Sequence, residues 1–124
     1  MIATDSSTFI AFLGGDGGAD IDLLRTVLLD RSLVMPPPVI AELLSSPKAT
    51  PGLEDFLRDV QQMPIAPGFW ERAGRSRALL KSRGLKAKLA DALVAQCCID
   101  ADVPLIARDG DFRHFARWCG LKLA

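Results

Sequence analysis

The feature that most constrains the fold is the alternation of short apolar runs with longer segments of helical periodicity. Met1–Thr4, Ser32–Met35 and Val103–Ala107 are short and apolar, as strands buried on both faces are. Segments whose apolar residues recur at helical spacing lie between these runs. This alternation predicts the α/β class, with a three-layer α/β/α sandwich around a central, mostly parallel sheet.

Further elements complete the predicted chain. Two further strands are predicted at the periphery of the sheet, Met63–Ala66 and Leu121–Leu123. The first is placed there because its Pro64 is poorly tolerated in a central strand. Seven helices are predicted. The first is capped by Ser6 or Ser7 and runs through Leu13. The others are Asp20–Asp30, Val39–Ser45, Thr50–Val60, Gly68–Arg83, Lys88–Asp102 and Asp111–Trp118. A chain of 124 residues is expected to form a single domain over residues 1–124.

Composition argues against disorder and against a membrane partner. Apolar residues make up 49% of the chain, and no apolar run approaches the about 20 residues that span a bilayer. The first residues lack the basic flank and cleavage pattern of a signal peptide. Cys97, Cys98 and Cys119 form neither a metal-binding spacing nor an even disulfide set. A reduced, cytoplasmic protein is therefore expected.

Acidic residues follow the predicted strands. Asp5 comes directly after the first strand, and Asp109 directly after Val103–Ala107. Glu42 lies early in the helix that follows the second strand. Because ligand sites in open parallel sheets form outside the carboxyl ends of the strands, these three acids are expected on one edge.

Asp91 and Asp111 are expected at the same edge. Asp91 begins a helix that leads into a strand, and such a crossover helix runs antiparallel to its strands. The start of that helix therefore lies over the carboxyl ends. Asp111 follows Asp109 by two residues, across Gly110.

Convergence of these acids predicts a metal site. Each has another possible role alone: Asp5 as a helix cap, Glu42 as a solvated side chain, Asp91 at a helix N-terminus, and Asp109 and Asp111 as turn residues. Together their charges repel, and a divalent cation relieves that repulsion. Carboxylate oxygens suit Mg²⁺ or Mn²⁺, which favours phosphodiester hydrolysis as the chemistry.

The charge distribution adds a second signal. The net formal charge is zero, but residues 1–71 carry ten acidic and four basic side chains, whereas residues 72–124 carry five acidic and eleven basic ones. Seven of those bases lie between Arg72 and Lys88. Such a cluster is commonly a solvated helix face, but beside the acidic edge it would hold a phosphate backbone.

These motifs give the chain a family resemblance. It resembles the PIN domain family, and within it the VapC toxins of bacterial VapBC toxin–antitoxin pairs. The resemblance is carried by Thr4-Asp-Ser-Ser7, Pro37-Pro-Val-Ile-Ala-Glu42, Leu89-Ala-Asp-Ala-Leu-Val-Ala95 and Ala107-Arg-Asp-Gly-Asp-Phe112. No single motif is specific, but the four in this order extend over essentially the whole chain.

The resemblance implies an Mg²⁺- or Mn²⁺-dependent ribonuclease. Asp5, Glu42, Asp91 and Asp109 match the family's catalytic, metal-binding acids, with Asp111 as an auxiliary acid and Ser7 as a supporting residue. RNA is then the substrate, and Arg75, Lys86, Lys88 and Arg108 are the candidate RNA contacts. The resemblance also implies a homodimer and a VapB-like antitoxin whose tail fills the active-site groove.

One departure keeps an alternative open. The family usually has Thr or Ser where this chain has Ala107, so a degenerate PIN domain acting as an RNA-binding or assembly module is the second interpretation. A phosphatase of the haloacid dehalogenase kind would need an acid where Ser7 stands. A receiver domain would need an acidic pair near the start and a phosphorylated Asp after a central strand, and neither is evident.

Overall fold

The centre of the fold is a parallel sheet of three short strands. A computed structural model describes all 124 residues, with β1 at Ile2–Thr4, β2 at Leu33–Val34 and β3 at Leu105–Ile106. The strand order is β2–β1–β3. Ala3 pairs with Val34 on one side and with Leu105 on the other. Because all three strands are parallel, their carboxyl ends meet at one side of the sheet, called here the carboxyl edge.

The predicted peripheral strands are shorter than expected. The prediction of a strand over 63–66 is wrong: a single parallel bridge joins Met35 to Gln62, and the exposed Pro64 has no N–H with which to continue it. At the other side, one bridge joins Leu105 to Leu123. Pro104 precedes the two-residue strand β3, and a turn follows it, so the ladder there has little length to extend.

Seven helices surround the sheet. They are α1 Ser6–Leu13, α2 Ala19–Leu29, α3 Pro37–Leu44, α4 Pro51–Asp59, α5 Phe69–Ser82, α6 Leu89–Ala101 and α7 Phe112–Cys119. The path from β1 to β2 crosses the sheet in one direction, and the path from β2 to β3 crosses it in the other. Right-handed crossovers therefore place the two sets of connecting helices on opposite faces. This confirms the predicted α/β/α arrangement. No helix is both long and apolar enough to cross a membrane.

Aspartate is the capping residue at one end of α1 and at one end of α6. The expectation that Ser6 or Ser7 caps α1 is wrong, because Asp5 is the N-cap and its side chain accepts from the Thr8 backbone N–H. Helix α6 ends at Asp102, which adopts a left-handed conformation with φ 54°. Between its ends, α6 buries Ala92, Val94 and Ala95 together with other small residues, which explains its nearly uniform apolar sequence.

Candidate metal centre

Three carboxylates converge at the carboxyl edge. Asp91 lies in the first turn of α6, and Asp109 and Asp111 lie in the turn between β3 and α7. Each offers a carboxylate oxygen, and these oxygens all lie within 4.8 Å of one another. All three residues are half-buried. The start of a crossover helix and the end of its strand thus bring together residues 18 to 20 positions apart in the chain.

The turn that carries two of these acids is built by its own hydrogen bonds. The Asp111 backbone N–H donates to Asp109 Oδ1 at 2.9 Å, which is the geometry of an Asx turn. A Cβ on Gly110 would lie 2.6 Å from Arg113 Nη2, so glycine leaves room for that guanidinium. Asp109 therefore has a turn-forming role through one oxygen, while it also belongs to the three-carboxylate cluster.

Asp91 lies in an environment that penalises its charge. Its Oδ2 is buried and has no hydrogen-bond partner. The pKa of Asp91 is raised from its usual 3.8 to about 6, chiefly by burial and then by the nearby charges of Asp109, Glu42 and Asp111, against a lowering by Lys88. A buried carboxylate oxygen without a donor is costly, and a cation is the ligand that would satisfy it. The donor set thus fits a hard divalent cation.

Asp5 borders this cluster from the central strand. It is buried, and its Oδ2 accepts from Ser7 Oγ at 2.6 Å while its Oδ1 accepts from the Thr8 N–H at 2.9 Å. Burial raises the pKa of Asp5, and hydrogen bonds from Ser7, from Thr8 and from the backbone N–H of Asp109 lower it. Asp5 therefore lies beside the Asp109 turn, although it is outside the group of three carboxylates.

Glu42 also lies outside the group of three carboxylates. It is half-buried on α3, and its charge contributes to the raised pKa of Asp91. Its carboxylate makes no hydrogen bond or ion pair within the chain, while its backbone carbonyl oxygen accepts from the Ser45 N–H. It also lines a groove with exposed apolar residues of α1, Ile10 and Leu13.

The four basic residues predicted to contact RNA have different surroundings. Lys86 Nζ lies 3.6 Å from Asp111 Oδ2. Lys88 is the N-cap residue of α6, and its charge acts on Asp91. Arg75 is exposed on α5 and makes no ion pair. Arg108 is bonded within the chain, to Asp20 and to the carbonyl oxygen of Gly17.

Sequence reasoning missed two polar groups near the site. Asp20 is the partner of Arg108. No local pattern links two residues that are 88 positions apart. Thr8 is fully buried and its Oγ1 has no partner by hydrogen-bond geometry. In the sequence, a threonine directly after Ser6-Ser7 gives no indication that its side chain is buried.

The fold and the cluster together define a class: α/β proteins with an acidic, metal-compatible centre at the carboxyl edge of a parallel sheet. A sequence model of the PIN domain matches residues 2–117, and the chain therefore belongs to the PIN domain family. No curated protein sequence matches it significantly.

A solved structure agrees with this assignment. The chain is similar to one in VapBC2 from Rickettsia felis, crystallised bound to a DNA fragment from their promoter. The TM-score is 0.76 at 20% identity, over 100% of this chain and 98% of that chain. The resemblance to VapC toxins is thus confirmed at the level of the fold.

Proposed function

We propose that this PIN domain is an Mg²⁺- or Mn²⁺-dependent endoribonuclease and the toxin of a VapBC-type pair. The observation that carries the proposal is the unpartnered, buried Oδ2 of Asp91 beside the carboxylates of Asp109 and Asp111. No group in the chain donates a hydrogen bond to that oxygen. A hydrolytic metal site needs such an arrangement, whereas a merely structural acid normally has a donor.

The roles of the acids follow from their surroundings. Asp91, Asp109 and Asp111 would hold the cation, with Asp5 and Glu42 at the border of the site. When bound, the cation would supply Lewis acidity toward water and toward the phosphodiester. Ser7 and the Thr8 N–H hold the Asp5 carboxylate in one orientation through bonds of 2.6 and 2.9 Å. Preorganised acceptors of this kind keep their geometry as charge develops on the substrate.

Basic side chains next to the acids favour a polyanionic substrate. Lys86 contacts Asp111, and Lys88 precedes the helix that carries Asp91. Arg75 and Lys88 have no carboxylate partner, so both are available to phosphates. An RNA backbone held there would place its phosphodiesters near the acidic cluster.

Asp109 is held in one orientation although Ala107 supplies no hydroxyl. The family usually has a hydroxyl at this position, and the half-buried Ala107 supplies none. The Asp111 N–H fixes one Asp109 oxygen in its place. A degenerate RNA-binding module remains the alternative outcome of the experiment below.

Cleavage of a structured RNA pool tests the proposal. The purified chain is incubated with Mg²⁺, with Mn²⁺ or with EDTA, beside Asp91→Asn and the matched control Asp55→Asn, an exposed acid of α4. Cutting that requires metal, survives in the control and disappears in Asp91→Asn is expected. Folded, antitoxin-free protein that binds RNA without cutting it would favour the degenerate module.

A VapB-like antitoxin is the partner that we propose for the groove beside Glu42. This groove has a volume of about 360 Å³ and is lined by Ile10, Leu13 and Leu53 among others. Ile10 and Leu13 are more than half exposed, so an apolar face of a partner would bury them. Co-purification of the cognate antitoxin should weaken in Leu13→Glu and persist in Leu29→Glu, which alters an exposed leucine outside the groove.

The oligomer and the location complete the proposal. We propose a homodimer, on the family resemblance, and size-exclusion chromatography with light scattering measures it. We propose the cytoplasm as the location because RNA is the substrate. The three cysteines, which are all free thiols, agree with a reducing compartment.

A further inference from the structure

Arg108 adjoins a candidate metal ligand in sequence, yet its side chain is bonded away from the cluster. Its Nε donates to Asp20 Oδ2 at 2.8 Å, and its Nη2 donates to Asp20 Oδ1 at 3.0 Å. The same Nη2 donates to the Gly17 carbonyl oxygen at 2.8 Å. Two parallel bonds between a guanidinium and a carboxylate fix both groups in one plane. The pair therefore ties the turn that follows β3 to the first turn of α2.

The loop before α2 is shaped to admit this pair. Gly18 has φ +136°, and a Cβ there would lie 2.8 Å from Asp20 Oδ1 and 3.1 Å from Arg108 Nη2. Only glycine satisfies both the backbone angle and the close approach. Hydrogen bonding to Arg108 lowers the pKa of Asp20, so both partners are charged at neutral pH.

The pair also borders Asp5. Hydrogen bonding to Asp20 raises the pKa of the Arg108 guanidinium, and the nearby charge of Asp5 adds to this rise. The Asp5 backbone N–H donates to the carbonyl oxygen of Ile106 at 3.0 Å, two residues before Arg108. Arg108 thus anchors the backbone at the point where the turn meets the central strand.

We propose that Arg108 and Asp20 are positioning residues, which hold the turn 109–111 so that its two carboxylates face Asp91. This inference rests on the proposed function, because it assumes that the cluster holds a divalent cation. It gives Arg108 a role inside the chain in place of a direct RNA contact.

A charge effect and a positioning effect predict opposite results for Arg108 and the same direction for Asp20. If only long-range charge mattered, loss of the Arg108 cation would strengthen metal binding, and loss of the Asp20 anion would weaken it. If the pair positions the turn, either loss weakens metal binding. Residues that act as a unit are also non-additive, so the double variant would lose no more than each single one.

Mn²⁺ affinity separates these cases. It is measured by calorimetry and by the electron paramagnetic resonance spectrum of free Mn²⁺. The variants are Arg108→Gln, Asp20→Asn and the double variant, which leaves the net charge unchanged. Arg108→Lys keeps the charge but lacks the planar fork. Asp22→Asn is the matched control, an exposed acid in the first turn of the same helix. All four variants of the pair are expected to bind Mn²⁺ about 10- to 100-fold more weakly, with the control unchanged.

Each other outcome overturns the inference. Tighter Mn²⁺ binding in Arg108→Gln would show a charge effect, and unchanged Mn²⁺ binding with weaker RNA binding would show an RNA contact. Unchanged Mn²⁺ affinity in a folded Arg108→Lys would show that the planar guanidinium of Arg108 is not needed to position the turn. This result would be informative even if the other variants failed to fold. A wild-type chain that binds no Mn²⁺ would overturn the proposed function itself, and the inference with it.

Discussion

Asp91 carries a charge that the metal-free fold disfavours. Its pKa is raised from 3.8 to about 6, chiefly by burial and then by the charge of Asp109. The folded chain therefore holds this proton more tightly than the unfolded chain does. By linkage, the stabilisation from the protonated form is complete below pH 3.8 and is lost as the pH rises through about 6.

Asp91→Asn should therefore stabilise the metal-free protein at neutral pH. The amide removes the charge and can donate to a neighbouring carboxylate. In EDTA at about pH 7, the free energy of unfolding should rise by about 1 kcal/mol, a value reduced for the partial exposure of the group. Near pH 4, where wild-type Asp91 is already largely protonated, the gain should be small. Urea denaturation measures both values, and a less stable variant at neutral pH would contradict the account.

Asp5 combines a structural and a functional role that two substitutions separate. Asp5→Asn keeps an oxygen for the Thr8 N–H, whereas Asp5→Ala removes the cap of α1. We expect Asp5→Ala to cost about 1 kcal/mol of stability and Asp5→Asn to cost less. Both should lose metal-dependent RNA cleavage. Full cleavage by Asp5→Asn would mean that Asp5 is a helix cap only.

Among the secondary-structure elements, the sequence predicted the features that depend on the spacing of apolar residues and on the direction in which a crossover helix runs. The apolar runs ending at Thr4 and Met35 predicted β1 and β2, because buried parallel strands are short and apolar. The position of Asp91 followed from the antiparallel course of a crossover helix. The peripheral strands were overestimated, since Pro64 and the two-residue length of β3 limit their ladders. The Arg108–Asp20 pair was unpredictable because it depends on a tertiary contact with no local pattern.

The left-handed backbone conformation of Asp102, at the end of α6, can be tested by substitution. Asp102 has φ 54° and ψ 46°, a conformation that costs a side-chain-bearing residue more than glycine. Asp102→Gly should therefore stabilise the protein by about 0.5–1 kcal/mol. Its ion pair with Lys122 is exposed on both sides and contributes little.

Asp102→Asn separates the two contributions, because it removes the ion pair but tolerates the same backbone angles. Thermal unfolding compares the three proteins. Stability that falls equally in both variants would assign the effect to the ion pair.

At the scale of the whole molecule, charge is divided between the two parts of the chain. Residues 72–124 contain eleven of the fifteen bases, and Lys86 brings part of this excess into contact with the acidic cluster. Arg75 and Lys88 form no ion pair. This division is what the proposed RNA binding requires of a chain that has zero net charge.

Salt dependence tests the basic surface. Arg75→Ala and Lys88→Ala should each weaken RNA binding, and each should reduce the slope of log K against log salt by about 0.7 for a single-stranded contact. Binding is measured in EDTA to prevent cleavage. Arg58→Ala, on the exposed face of α4 and paired with Asp55, is the control and should leave the slope unchanged. Equal slopes in all variants would place the RNA elsewhere.

A crystal structure of the chain grown with Mn²⁺, with anomalous diffraction data, would show directly whether the acidic cluster binds a metal. We expect a strong anomalous peak bounded by the carboxylates of Asp91, Asp109 and Asp111, and no such peak in Asp91→Asn. A well-ordered wild-type cluster without a peak, or a peak that persists unchanged in the variant, would contradict the assignment of this edge as a metal centre.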